Sequence, residues 1–320
     1  MGHPIDRLGG VVVARGPQRL RFFSDGWGDA AILESLELPT TGPEPVDIAW
    51  EAPSQDGETR INVGSFLSPI EGLPEASRIA TVTKIEPTSG TDRLVVLMAA
   101  WNEHDPKARL ALAKRLAAIG IGSLILENPY YGTRRPRTGH DQPIRTVADF
   151  ALMGTSAVTE GRSLLAAIRG EARTVGVAGY SMGGNVAALV SATVPFPVAT
   201  APLAPAYSPA PVYLEGALRG GIDWTALGGE ASAAPRLRTI LLKASVLNVP
   251  APPHARYAVL VAARGDGYVP RTATEALHRH WPGAELRWTG GGHATLLWLR
   301  KNTLVTAIRD TFRRLEAQAP

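Results

Sequence analysis

The chain has 320 residues, 45% of them hydrophobic, and a formal net charge of +4, which is enough apolar material for a large core and excludes a mainly disordered protein. It has no cysteine, which excludes disulfides, thiolate nucleophiles and cysteine-held zinc. Its arginines are scattered among Asp and Glu rather than gathered into a basic stripe, so nucleic-acid binding gains little.

Residues 1–45 read as an irregular N-terminal extension, with an apolar patch at 11–14 and a Phe-Phe-Ser-Asp-Gly-Trp-Gly stretch at 22–28. The opening Met-Gly-His-Pro-Ile-Asp lacks the basic start and apolar run of a secretory signal, so a cytoplasmic location is expected. Between 46 and 86, short alternating stretches at 60–66 and 78–85, bounded by Pro and Gly, predict antiparallel edge strands that open a sheet. No apolar run approaches the roughly 20 residues of a membrane-spanning helix; the longest central one is 94–101.

From Leu94 short apolar runs alternate with helix-length segments. Residues 94–99 (Leu-Val-Val-Leu-Met-Ala) predict a buried strand, and 107–119 place Leu110, Leu112, Leu116 and Ile119 close to helical spacing. A strand at 123–126, a long helix at 144–168, a strand at 174–178, a helix at 183–194 and a strand at 198–203 follow. Continuous apolar strands separated by helices imply a mostly parallel sheet covered on both faces. Over 207–254 the alternation lapses into Pro, Ala and Gly with two helix-like pieces at 212–218 and 237–247, the pattern of a lid or cap insertion. The sheet pattern resumes at 257–262, passes a helix at 272–280, returns at 285–288 and ends in one helix at 296–315.

Gly179-Tyr180-Ser181-Met182-Gly183 fits the G-x-S-x-G nucleophile elbow. The pattern alone is weak, but an apolar strand ends just before it and an apolar helix pattern follows, which is the strand-turn-helix setting it needs. A hydroxyl is a poor nucleophile at neutral pH, so Ser181 requires a base, and the base requires an orienting acid. Four histidines follow it: His254 lies in a Pro-rich linker, His278 and His280 fall in a helical pattern and are expected to face solvent, and His293 closes Gly-Gly-Gly-His directly after the last predicted strand. His293 is therefore the expected base. The expected acid is Asp266 in Arg-Gly-Asp-Gly, directly after the strand at 257–262, ahead of its rivals Asp223 and Glu285; the alternative is an ordinary Asp-Gly turn. For the oxyanion, the Met182 amide supplies one donor, and the turn Ala99-Ala100-Trp101-Asn102 the second, with Trp101 the preferred residue. The whole reads as an α/β-hydrolase fold, its core at 46–206 and 255–320 and its lid at 207–254.

These residues, with Leu126-Glu127-Asn128-Pro129-Tyr130-Tyr131-Gly132, Arg135-Pro136, Gly179 to Gly184, Tyr268-Val269-Pro270-Arg271-Thr272, Trp281-Pro282-Gly283, Gly291-Gly292-His293 and an earlier Ser65 to Pro69, resemble the family called alpha/beta hydrolase domain containing protein 18. The resemblance runs from about Gly64 onward and implies a serine hydrolase with this Ser, Asp and His, acting on acyl esters that include lipids. It departs from the family in a short lid and in Trp101-Asn102 where relatives tend to have Thr-Gly.

Tyr130, Tyr131, Arg134 and Arg135 leave a strand at the same edge and are expected to border the substrate, with Arg137 also available to a phosphate or carboxylate; the alternative is a solvated basic loop. No metal-ligand cluster or dinucleotide fingerprint is visible, so no metal and no cofactor are expected. The expected function is cleavage of a carboxylic ester or thioester through a Ser-His-Asp acyl-enzyme. The alternatives are an amidase or peptidase of the same fold, or a ligand-binding protein without turnover. The expected partner is a small-molecule or lipid acyl substrate; the positive charge leaves room for peripheral contact with an anionic lipid surface.

Overall fold

A computed structural model describes residues 3, 4, 6, 21–137, 140 and 142–318; the apolar patch expected at 11–14 lies outside them. After helix α1 (Ala30–Ser35) come strands β1 (Ala49–Trp50), β2 (Ser54–Asp56) and β3 (Thr59–Leu67), one helical turn α2 (Glu75–Arg78) and β4 (Ile79–Pro87). The alternating part is β5 (Arg93–Met98), α3 (Lys107–Ala117), β6 (Gly122–Leu126), α4 (Val147–Ile168), β7 (Thr174–Tyr180), α5 (Met182–Thr193) and β8 (Ala199–Leu203). Residues 207–254 carry α6 (Pro209–Leu214) and α7 (Glu230–Lys243), and the chain continues through β9 (Val259–Ala263), α8 (Arg271–His280), β10 (Glu285–Thr289), α9 (His293–Leu299) and α10 (Lys301–Glu316).

The strands form one sheet in the order β1-β3-β4-β6-β5-β7-β8-β9-β10, with β2 paired to β3. β3 and β4 pair antiparallel, as does β4 with β6, and every pair from β6 to β10 is parallel. This is the α/β-hydrolase architecture expected from the sequence. The reason β5 is unbroken Leu-Val-Val-Leu-Met is that both of its faces are covered. Leu94, Val96 and Met98 pack with Ala157 and Leu165 of α4 and Val186 and Val190 of α5. Val95 and Leu97, pointing the other way, pack with Leu116 of α3 and Ile308 and Phe312 of α10. Each such fully buried aliphatic side chain contributes roughly 1.5–3 kcal/mol. Among the described residues no helix is long and apolar enough to cross a membrane.

Two expectations change. The single helix expected at 296–315 is two, because Gly292 and Thr295 start α9 early, at His293, and the axis breaks at Arg300 (φ −117°, ψ 31°). His278 and His280 do not point freely into solvent: each ring nitrogen pairs with a backbone carbonyl, Ala284 O at 3.0 Å and Val249 O at 2.8 Å. Those carbonyls lie outside α8, so spacing along the helix could not reveal them.

The described part of 1–45 is built into the body of the protein. Phe22 makes a parallel bridge with Ile222, and Phe22 and Phe23 are buried with Phe150 and Tyr213. Since β7, β9 and β10 run parallel, the turns after them emerge on one rim of the sheet, which places Ser181, Asp266 and His293 together.

Candidate active site

Ser181 sits between β7 and α5 with φ 58° and ψ −117°, a strained conformation for a residue with a side chain. The neighbouring glycines permit it through close backbone approach: a Cβ on Gly179 would strike the carbonyl of Gly183, and one on Gly183 would lie 2.5 Å from Met98 O on β5. The turn is held from both sides, with the Ser181 amide donating to Leu203 O on β8 (2.8 Å) and the Gly184 amide donating to Ser181 O (2.9 Å).

The Ser181 Oγ lies 2.9 Å from Nε2 of His293, and His293 Nδ1 lies 2.6 Å from Oδ2 of Asp266. A carboxylate only accepts, so Nδ1 carries the proton and Nε2 presents its lone pair to the serine hydroxyl. Asp266 is fixed in turn, because its other oxygen accepts from the amides of Tyr268 (2.9 Å) and Val269 (2.8 Å). Tyr180 and Tyr268 flank the imidazole, their ring centroids 5.1 and 5.2 Å from it. Burial first, then the charges of Asp266 and Asp6, raises both phenols above their ordinary range, so both stay protonated. The rivals stand elsewhere: Asp223 pairs with Arg21, Glu285 with Arg287 and Arg314, and His254 is buried beside Ser191.

Above the serine is a cavity of about 300 Å³. Its walls are mostly apolar, including Trp101, Phe150, Val212, Tyr213, Leu218 and Leu297, and among the described residues no titratable acid or base other than His293 and tyrosines lines it. Residues 207–254 supply a large part of this wall through Ser208, Pro209, Val212, Tyr213 and Leu218. Met182, the first residue of α5, has an amide that a helix leaves without an intrahelical acceptor, and it also lines the cavity. Ala100 and Trp101 line it as well.

The chain matches the family described as alpha/beta hydrolase domain containing 18 over residues 20–240 and 229–314. It belongs to that family. Among solved structures this family member is similar to an acetyl xylan esterase from Paenibacillus sp. R4, at 14% identity and TM-score 0.57, covering 90% of this chain and 99% of that one. It is also similar to carboxyl esterase 2 from the mycorrhizal fungus Tuber melanosporum, at 15% identity and TM-score 0.55, covering 98% and 100%. A third is a cold-adapted esterase from an Arctic intertidal metagenomic library, at 18% identity and TM-score 0.51, covering 81% and 99%. At such identities the likeness establishes the α/β-hydrolase fold.

In this member of the alpha/beta hydrolase domain containing 18 family, the basic loop expected at the substrate lies away from the cavity wall. Arg134 is 1% exposed and makes a two-pronged ion pair with the fully buried Glu160 of α4, at 2.6 and 2.7 Å, while also donating to the carbonyls of Glu127 and Ser77. Tyr130 is buried, its hydroxyl donating to Asp149 (3.0 Å), and Tyr131 is buried beside His104. Arg135 donates to the carbonyl of His140, and Arg137 is exposed. None of the five lines the cavity above Ser181. The loop anchors α4 to the sheet edge because the guanidinium finds a buried carboxylate 26 residues away. Two contributors had no reading in the sequence: Tyr180, hidden as the variable position of the elbow, and Asp6, discussed below.

Proposed function

We propose that the protein is a serine hydrolase that cleaves a carboxylic ester or thioester of an apolar acid, lipids among them. The observation that supports this is the unbroken relay from Ser181 through His293 to Asp266, at 2.9 and 2.6 Å, opening into an apolar cavity. In the reaction His293 Nε2 takes the Ser181 proton as Oγ attacks the carbonyl carbon. The Met182 amide and an amide of the Ala100–Trp101 turn hold the oxyanion, and His293 then passes the proton to the leaving alcohol or thiol. Water, deprotonated by the same imidazole, cleaves the acyl-enzyme and restores Ser181. Among the described residues the cavity has no fixed cation to hold an anionic group and no fixed carboxylate for an amine, which favours an uncharged acyl moiety.

The test is a fluorophosphonate probe followed by turnover of matched ester and amide substrates. The wild-type protein is expected to be labelled at Ser181, to lose the label in Ser181→Ala, and to hydrolyse esters ahead of amides. Label that survives Ser181→Ala, or no label on the folded wild-type protein, overturns the reading.

A further inference from the structure

The catalytic loops are joined by a side chain from the far N-terminal side of the sequence. Asp6 is 1% exposed, and its Oδ2 accepts from the amides of His293 (2.6 Å) and Gly267 (3.0 Å), while its Oδ1 accepts from Ala294 (3.2 Å). Gly267 follows Asp266, and His293 and Ala294 open α9, so one carboxylate spans the acid-bearing turn and the base-bearing turn. The His3 amide adds a fourth tie by donating to Gly265 O (2.7 Å). A carboxylate on the first amides of a helix satisfies donors that have no intrahelical acceptor and complements the helix dipole.

The glycine before the base reflects this clamp. A Cβ on Gly292 would strike Asp6 Oδ2 and lie 2.5 Å from the His3 side chain, so the Gly-Gly-Gly-His loop is bare where the N-terminal segment presses on it. The charge is also felt by the two rings around the imidazole: Tyr180 and Tyr268 are both raised by burial first, with Asp266 and Asp6 contributing to each.

We infer that Asp6 is a positioning residue for the proposed hydrolysis, holding the His293 backbone at the distance from Asp266 that aligns its ring with Ser181. Asp6 does not line the cavity and touches no reacting atom, so it acts on the chemical step and not on substrate binding. A displacement of about 1 Å at a catalytic group is worth up to about 10²-fold in rate.

The inference rests on the hydrolase reading, and the experiment separates the two. In the 320-residue chain, Asp6→Ala and Asp6→Asn are compared with wild type by ester kinetics below the variants' unfolding temperatures. The low-field proton resonance of the His293–Asp266 hydrogen bond is recorded alongside. Asp6→Ala is expected to lower kcat by about 10–10²-fold with KM nearly unchanged, and to broaden or remove the low-field resonance. Asp6→Asn, whose amide oxygen can still accept from His293 and Gly267, is expected to fall in between and keeps the test usable if the alanine variant does not fold. An unchanged kcat and resonance in Asp6→Asn and Asp6→Ala, or a loss that appears in KM alone, overturns the inference. If the wild-type protein hydrolyses nothing, the hydrolase reading fails, while the resonance still reports whether Asp6 holds the imidazole.

Discussion

The Tyr180 hydroxyl donates to the carbonyl oxygen of His293 across 2.5 Å, so the residue before the nucleophile carries the backbone of the proposed base. Tyr180→Phe removes one donor from a part-buried carbonyl, which costs about 0.5–1.5 kcal/mol of stability. It is expected to lower kcat by about tenfold with KM unchanged, since the imidazole loses one of its supports. Ester kinetics decide it: an unchanged kcat would mean that the Asp266 contact alone holds the ring.

Asp266→Asn tests the orienting role. An asparagine oxygen can keep the bonds from the Tyr268 and Val269 amides, but an amide nitrogen facing Nδ1 favours the imidazole tautomer with its proton on Nε2. A fall of about 10⁴-fold in kcat, with an unfolding temperature close to wild type, is expected. Activity within about tenfold of wild type would remove Asp266 from the mechanism.

Glu160→Gln addresses the loop that the sequence suggested for substrate binding. The change leaves the Arg134 guanidinium buried without its counter-charge and is expected to cost about 3–5 kcal/mol, read by urea unfolding. Because neither residue lines the cavity, KM measured below the unfolding transition should hold. A raised KM with unchanged stability would return the loop to the substrate.

His254 gives a pH dependence to stability that is separate from catalysis. It is buried with Nε2 3.1 Å from the Ser191 hydroxyl, and burial lowers its pKa from an ordinary 6.5 to about 4. The unfolded chain takes up this proton before the folded one. The contribution is therefore complete above about pH 6.5 and is lost as pH falls towards 4, at up to about 1.4 kcal/mol per pH unit. Urea unfolding of wild type and His254→Gln at pH 7, 6 and 5 should show a shallower decline in the variant. Parallel curves would show that His254 does not titrate in this window.

The order of strands and helices was legible because strands covered on both faces, such as Leu94 to Met98, must be apolar at every position. The site was legible where chemistry and backbone constraint coincide: Ser181, Asp266 and His293 each stand within two residues of a glycine and soon after a predicted strand, and the structure brings them within hydrogen-bond reach. What could not be read depends on contacts between distant parts of the chain. Arg134 looks like a solvated cation until Glu160 is seen beside it, and Asp6, 287 residues from His293, belongs to no local pattern. The early start of α9 at His293 was missed because glycine contributes no apolar period, although Thr295, three residues after Gly292, carried the capping signal.

The strand order also separates the proposed nucleophile from its proposed base. Ser181 follows β7, whereas its proposed base His293 follows β10, 112 residues later, with β8 and β9 between them in the sheet. On the proposed reading, Ser181 has no base until β10 and α9 are in place, and the cavity until then lacks the wall that His293, Ala294 and Leu297 supply.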